Sequence, residues 1–192
     1  MFISKDKNII YAYKDNINYM KYHLMILPTR GFSEEDVVNF AEILKGKLYV
    51  ATPDKKIAIG RYGSKIFPDF SIKEIFLLKD TFFDDLIIVS DKGFKELLIQ
   101  EISAIFARFF YSKKPVILSS LAQIGIAKMG LINGKIITFN NIDFPEYMKI
   151  ISDLKINFID LPYYIDNNLI TTKGREFIFD LQDFLLDLNL IR

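Results

Sequence analysis

The sequence predicts one α/β domain, with a mostly parallel central sheet covered by helices on both faces. Three observations predict it. Short apolar runs alternate with amphipathic stretches along most of the 192 residues, the order that builds parallel sheets through crossover helices. Two runs, DDLIIVS at 84–90 and PVILS at 115–119, are almost continuously apolar, as central strands buried on both faces must be. The chain is also the right size, since a domain takes roughly 100 to 200 residues. Its 51% hydrophobic content and 18 phenylalanines supply a core without disulfides.

In chain order, YHLMIL (22–27) reads as a strand, EEDVVNFAEILKG (34–46) as a helix stopped by Gly46, and KLYVAT (47–52) as a second strand. Residues 57–67 hold two short extended pieces around Gly60 and Gly63, the pattern of a small β-hairpin excursion. FPDFSIKEI then turns into a brief helical segment. After the buried run at 84–90, residues 96–111 predict a helix with Ile99, Ile102, Ile105 and Phe106 on one face. KPVILSSLAQIGIAKMGLINGKIIT (114–138) reads as a strand, an abrupt Ser119-Ser120 corner, a helix and another strand. PEYMKIISDL follows as a helix, INFIDL and NLITT as extended pieces, and a final helix from Arg175 with Phe177, Leu181, Phe184, Leu185 and Leu188 facing inward. Residues 1–19 stand apart as polar and tyrosine-rich, so the domain is expected over 20–192, behind an extension for which a hairpin and an upstream translation start are both open readings.

Composition narrows the function classes. With 25 basic and 24 acidic residues the net charge is +1, without the concentrated positive field that nucleic acid recruits. No cysteine occurs, which removes disulfides, thiolate zinc sites and thiol chemistry and suits a reducing cytoplasm. The N-terminal residues lack the apolar stretch of a secretory signal, and no window approaches the roughly 18 apolar residues of a membrane span. A cytoplasmic protein without nucleic-acid or membrane partners is expected. One histidine cannot build the usual zinc sites and no phosphate-cradling GxGxxG or GxxxxGK loop is present, so neither metal nor cofactor is expected.

Several blocks resemble the ThiJ/PfpI (DJ-1) superfamily in order and spacing. IAKMGLINGKIIT (126–138) is similar to the tail of its nucleophile elbow, and counting back ten positions from Gly130 places Ser120 at the family's cysteine. GFSEEDVVNFAEIL (31–44), YGSKIFPDFSI (62–72), FDDLIIVS (83–90) and NNLITTKG (167–174) resemble its other blocks. The resemblance covers residue 20 to the C-terminus and implies a flavodoxin-like three-layer sandwich and a homodimer.

At the catalytic positions the sequence departs from that family. An alcohol at Ser120 is a weak nucleophile until a base takes its proton. Leu121 stands where proteolytic members have histidine, and Asn140 aligns with the histidine other members supply from the following loop. Ser90, Asp91 and Lys92 align with the glycine loop that gives an oxyanion donor, the loss of which costs about 100- to 1,000-fold in rate. Asp36 aligns best with the family's glutamate, with Glu34 and Glu35 as neighbouring alternatives, although a carboxyl of ordinary pKa, about 3.9, is a poor base near neutrality. For Ser120, helix capping, ligand binding and covalent catalysis remain open, and Asp36 with Ser33 also reads as a capping box. Ser119, Leu121, Ser90 and Asp91 are the candidate binding residues for a small-molecule ligand. His23 reads as structural, at the wrong end of the sheet for ligands, and Asp84 and Asp85 as solvated turn residues. Together these departures favour a binding or interaction module over an enzyme; the alternative is a Ser120-dependent glyoxalase/deglycase-like or hydrolase activity on small carbonyl compounds or esters.

Overall fold

In the computed structural model, which describes residues 20–78 and 81–188, the extension at 1–19 lies outside the described residues. The chain runs β1 (Tyr22–Ile26), β2 (Arg30–Phe32), α1 (Glu34–Ile43), β3 (Lys47–Thr52), β4 (Ala58–Gly60), β5 (Lys65–Ile66), β6 (Phe70–Ser71) and α2 (Ile72–Leu77). It continues through β7 (Asp85–Ser90), a 3-10 segment (Lys92–Leu97), α3 (Gln100–Tyr111), β8 (Val116–Ser120), α4 (Ala122–Lys128) and β9 (Ile136–Ile137). The last elements are α5 (Tyr147–Asp153), β10 (Asn157–Phe158), β11 (Tyr163–Asp166), β12 (Leu169–Thr172), a second 3-10 segment (Arg175–Leu181) and α6 (Gln182–Asp187).

The main sheet has seven strands in the order β11-β12-β8-β7-β1-β3-β6, parallel throughout except for the edge pair β11/β12. Its central β3-β1-β7-β8 order is that of doubly wound flavodoxin-like sheets. Successive strand residues point to opposite faces, and the two cores follow from that alternation. Leu24, Ile26, Leu86, Ile88, Val116 and Leu118 face a core shared with α2, α3, α4 and α5. Met25, Leu27, Ile87, Val89 and Ile117 face the other core, closed by α1, the Arg175–Leu181 segment and α6. The excursion is an antiparallel β4/β5 hairpin, with β2 added in parallel along β4. Among the described residues no helix is long and apolar enough to cross a membrane.

Two helices differ from the sequence expectation. Residues 92–97 form a 3-10 turn and α3 begins only at Gln100, because Ile99 holds an extended backbone (φ −122, ψ 150) before the helix. The stretch from Arg175 also starts as a 3-10 segment, whose tighter period brings Ile178 inward in place of Phe177. Lys173 instead lies over the half-exposed Phe177 ring, 5.4 Å from its centroid.

Asp85 is a second correction. It is not a solvated turn residue but the fully buried first residue of β7, its Oδ2 2.6 Å from His23 Nδ1, while His23 Nε2 lies 2.8 Å from the Lys45 carbonyl. Nε2 facing a carbonyl must carry a hydrogen, so the pair shares a proton between Nδ1 and the carboxyl group. Burial lowers the His23 pKa, but the bond to Asp85, its charge and the Lys45 carbonyl outweigh burial and the net shift is upward. His23 is thus buried at the start of β1, at the end of the sheet where the sequence places it.

Candidate functional site: the Ser120 elbow

β8 carries its extended backbone into Ser120 and then breaks, because Ser120 adopts φ +57. A left-handed conformation costs a non-glycine residue on the order of 1–2 kcal/mol and persists where its surroundings fix it. Ser120 does not cap the next helix: Leu121 occupies the N-cap and no side-chain cap bond forms. Instead Ser120 Oγ donates to Asp36 Oδ2 at 2.9 Å. Ser119 Oγ donates to the same oxygen at 2.6 Å.

Asp36 is the hub of this site. Ser33 Oγ and the Arg175 backbone N–H donate to its other oxygen, at 2.6 and 2.8 Å. Only half of the expected capping box forms, since Ser33 accepts the Asp36 amide at 3.3 Å while the Asp36 carboxylate faces the elbow. Asp36 is completely buried, and burial raises its pKa against the lowering effect of Ser119, Ser33, the Arg175 amide and Ser120. Four donors converge on one carboxylate, so each oxygen already holds two hydrogen bonds before any substrate enters.

Two amides beside the elbow are also occupied. Leu121 N–H donates to the Ser90 carbonyl at 2.8 Å, and Asp91 N–H donates to the Gly31 carbonyl at 3.0 Å. Ser90 is fully buried, and its hydroxyl donates to the Asp91 carbonyl at 3.1 Å. The Asp91 carboxylate is 2% exposed and accepts from Arg61, from the hairpin excursion, at 3.2 Å. Burial pushes its pKa up, opposed chiefly by Arg61.

Asn140 takes no part in the Ser120 hydrogen bonds. Its oxygen accepts the Asp143 amide at 3.0 Å and its Nδ2 donates to the Asp143 carboxylate at 3.1 Å, a local turn between side chain and backbone. At the position aligned with the family histidine, Asn140 therefore makes only this local turn. Asn140 reaches the elbow only indirectly, because Asp143 pairs with Arg175.

Asp36, Ser119 and Ser120 thus form one cluster, with Ser90, Asp91 and Leu121 lining the strand ends beneath it. Sequence reasoning missed its cover. Gly174 (φ +81) lies so close that a Cβ there would sit 2.5 Å from both Asp36 Oδ2 and Ser120 Oγ. Arg175 follows, held by Asp143, by Glu35 at 3.5 Å and, through its carbonyl, by Asn39 Nδ2 at 2.9 Å. Ser120 is left 3% exposed. Gly174 closes the NNLITTKG block without any role being legible there; nothing in the sequence ties Arg175 to residues more than 130 positions away. Among the described residues, no group of three histidine, cysteine or acidic side chains converges as a metal site.

A parallel α/β sandwich with a strained serine at a strand-to-helix corner defines an elbow-bearing flavodoxin-like domain. Solved structures of the ThiJ/PfpI/DJ-1 superfamily share that fold. A ThiJ/PfpI domain protein from Brachyspira murdochii superposes with a TM-score of 0.73 at 16% identity, over 88% of this chain and 97% of that one. Drosophila melanogaster DJ-1beta gives 0.72 at 18% identity, over 90% and 100% of the two chains. A DJ-1 superfamily protein from Salmonella typhimurium gives 0.70 at 18% identity, over 88% and 91%. No family model matches the sequence, and no curated protein matches it.

Proposed function

We propose that the protein is a ThiJ/PfpI-like binding or interaction module that lacks the cysteine chemistry of that superfamily and works as a cytoplasmic homodimer. One observation carries the reading. The amide of the residue after an elbow nucleophile is a usual oxyanion donor, and here that amide, on Leu121, is spent on the Ser90 carbonyl. Acyl transfer needs preorganised donors where negative charge develops, and a base with capacity for the nucleophile's proton. Here three further donors, Ser33, Ser119 and the Arg175 amide, bind the Asp36 carboxylate beside Ser120 and oppose the rise in basicity that burial brings. The homodimer and the cytoplasmic location rest on the family resemblance and the cysteine-free composition; light scattering at micromolar concentration reads the oligomeric state.

A second reading is favoured by the positive φ of Ser120 and its 2.9 Å bond to Asp36. In it, Ser120 Oγ attacks the carbonyl carbon of a small ester or aldehyde as its proton passes to Asp36 and the C=O π pair moves to oxygen; an aldehyde adduct takes the proton back as a hemiacetal, and an ester adduct collapses with loss of the alcohol, protonated by Asp36. A serine-directed fluorophosphonate separates the two, because an activated serine forms an Oγ–P bond with loss of fluoride. Intact-mass analysis is expected to show no adduct; a stoichiometric adduct abolished by Ser120→Ala overturns the first reading.

A further inference from the structure

The loops after β1 and β7 leave the sheet in opposite directions. From β1 the chain turns to α1, whose Val37, Phe40 and Ile43 join one core; from β7 it reaches α3, whose Ile102, Ile105 and Phe106 join the other. Adjacent parallel strands with diverging connections open a crevice beyond their carboxyl ends, where ligands of open α/β sheets bind. Here its floor is closed by backbone, Gly93 meeting the Arg30 carbonyl with no room for a Cβ, and Asp91 N–H donating to the Gly31 carbonyl at 3.0 Å.

Above that floor lies a groove of about 330 Å³ between Arg30, Lys92, Lys95 and Glu96. It adjoins a cleft of about 640 Å³, also bounded by Arg30 and Glu96 and reaching Lys73 and Glu101. That volume falls in the usual range for small-molecule sites, about 300–1,000 Å³. The charges in it are unbalanced. Lys56 pairs with Asp54 at 3.1 Å, and Glu96 accepts the Thr29 amide at 2.6 Å. Among the described residues Arg30, Lys73, Lys92 and Lys95 have no ion-pair partner. Five basic side chains, Arg30, Lys56, Lys73, Lys92 and Lys95, and three acidic ones, Asp54, Glu96 and Glu101, line the two cavities, which leaves them net positive.

We propose that the crevice binds the phosphate group of a small phosphorylated, hydroxylated molecule. Arg30, Lys92 and Lys95 receive the phosphate through charge-assisted hydrogen bonds, the guanidinium matching two phosphate oxygens at once. The hydroxylated body enters the wider cleft, where the Glu96 and Glu101 carboxylates accept its O–H groups. This site does not use Ser120.

Equilibrium dialysis with ribose 5-phosphate tests the proposal, with inorganic phosphate and ribose as parallel probes. Ribose 5-phosphate is expected to bind and ribose not to. Arg30→Ala with Lys92→Ala should weaken binding at least about tenfold, about 1.4 kcal/mol, with an unchanged melting temperature because both side chains are exposed. Ser120→Ala should bind as the wild type does. Absent binding of both phosphate probes, equal binding by the double variant, or equal binding of ribose overturns the site. Inorganic phosphate binding as tightly as ribose 5-phosphate overturns the role given to the wider cleft.

Discussion

Leu121 donates its amide to the Ser90 carbonyl at 2.8 Å, so the residue after the elbow serine is bound to the neighbouring strand. The bond closes the β7/β8 ladder at its last pair, Ser90–Ser120. Where a catalytic elbow would leave this N–H free for developing negative charge, the ladder has absorbed it. Asp36 joins the start of α1, the end of β8 and the Gly174–Arg175 segment.

Asp36→Ala strands four buried or half-buried donors at once. Each stranded donor carries a desolvation cost of about 1–3 kcal/mol, partly relieved where a hydroxyl can turn. A loss of at least about 2 kcal/mol in unfolding free energy by urea titration is expected, with a smaller loss for Asp36→Asn, whose amide still fills the site. Equal stability of Asp36→Ala and the wild type would contradict the hub.

Gly174→Ala should destabilise by roughly 1–3 kcal/mol. The new Cβ would meet Asp36 Oδ2 and Ser120 Oγ at 2.5 Å on a backbone of φ +81, combining overpacking with a left-handed alanine. Gly63 is the control, with open space around its Cβ position at a similarly positive φ of +97; alanine there should cost less.

Because the chain has no cysteine, Ser120→Cys creates a single thiol whose labelling rate reports access to the elbow. Beneath Gly174 and Arg175 it should react with a disulfide reagent at least about tenfold more slowly in the folded protein than in urea, since labelling must await local opening. Arg175→Ala, which removes the pairs with Asp143 and Glu35, should speed it. Equal rates in the folded and unfolded chains would mean an open site.

The buried pair at the opposite end of the sheet sets a pH dependence. His23, Asp85 and Asp36 all have folded pKa values above their ordinary ones; for the two aspartates burial is the leading cause, and for His23 burial opposes a rise driven by Asp85. The native state therefore holds more protons than the unfolded chain, and stability falls as pH rises. For His23 the contribution is complete below about pH 6.5, its unfolded value, and is lost as pH rises through its higher folded value. Asp85→Ala should remove most of the neutral-range slope and cost about 3–5 kcal/mol, as expected when one partner of a buried pair is deleted. Denaturation midpoints between pH 5 and 9 measure both.

What the sequence revealed follows physical range. The central strands were legible because burial on both faces writes continuous apolar runs, as in residues 86–89 and 116–118. Ser120 and Asp36 were singled out by resemblance to the family's cysteine and glutamate positions, and the Ser120 hydroxyl lies 2.9 Å from the Asp36 carboxylate. Asp85 was misread because an acid before an apolar run looks like a strand entrance, and only the partner 62 positions away makes it buried. Arg61 and Arg175 were invisible for the same reason, since each joins the site through a loop placed by tertiary packing. Asn140 aligned with a functional position but found a local partner, Asp143, three residues on.

Consumption of methylglyoxal by the purified protein, compared directly with Ser120→Ala, tests the central claim that the elbow no longer catalyses. The account predicts that both consume it no faster than buffer. Multiple turnovers by the wild type that vanish in Ser120→Ala would contradict it.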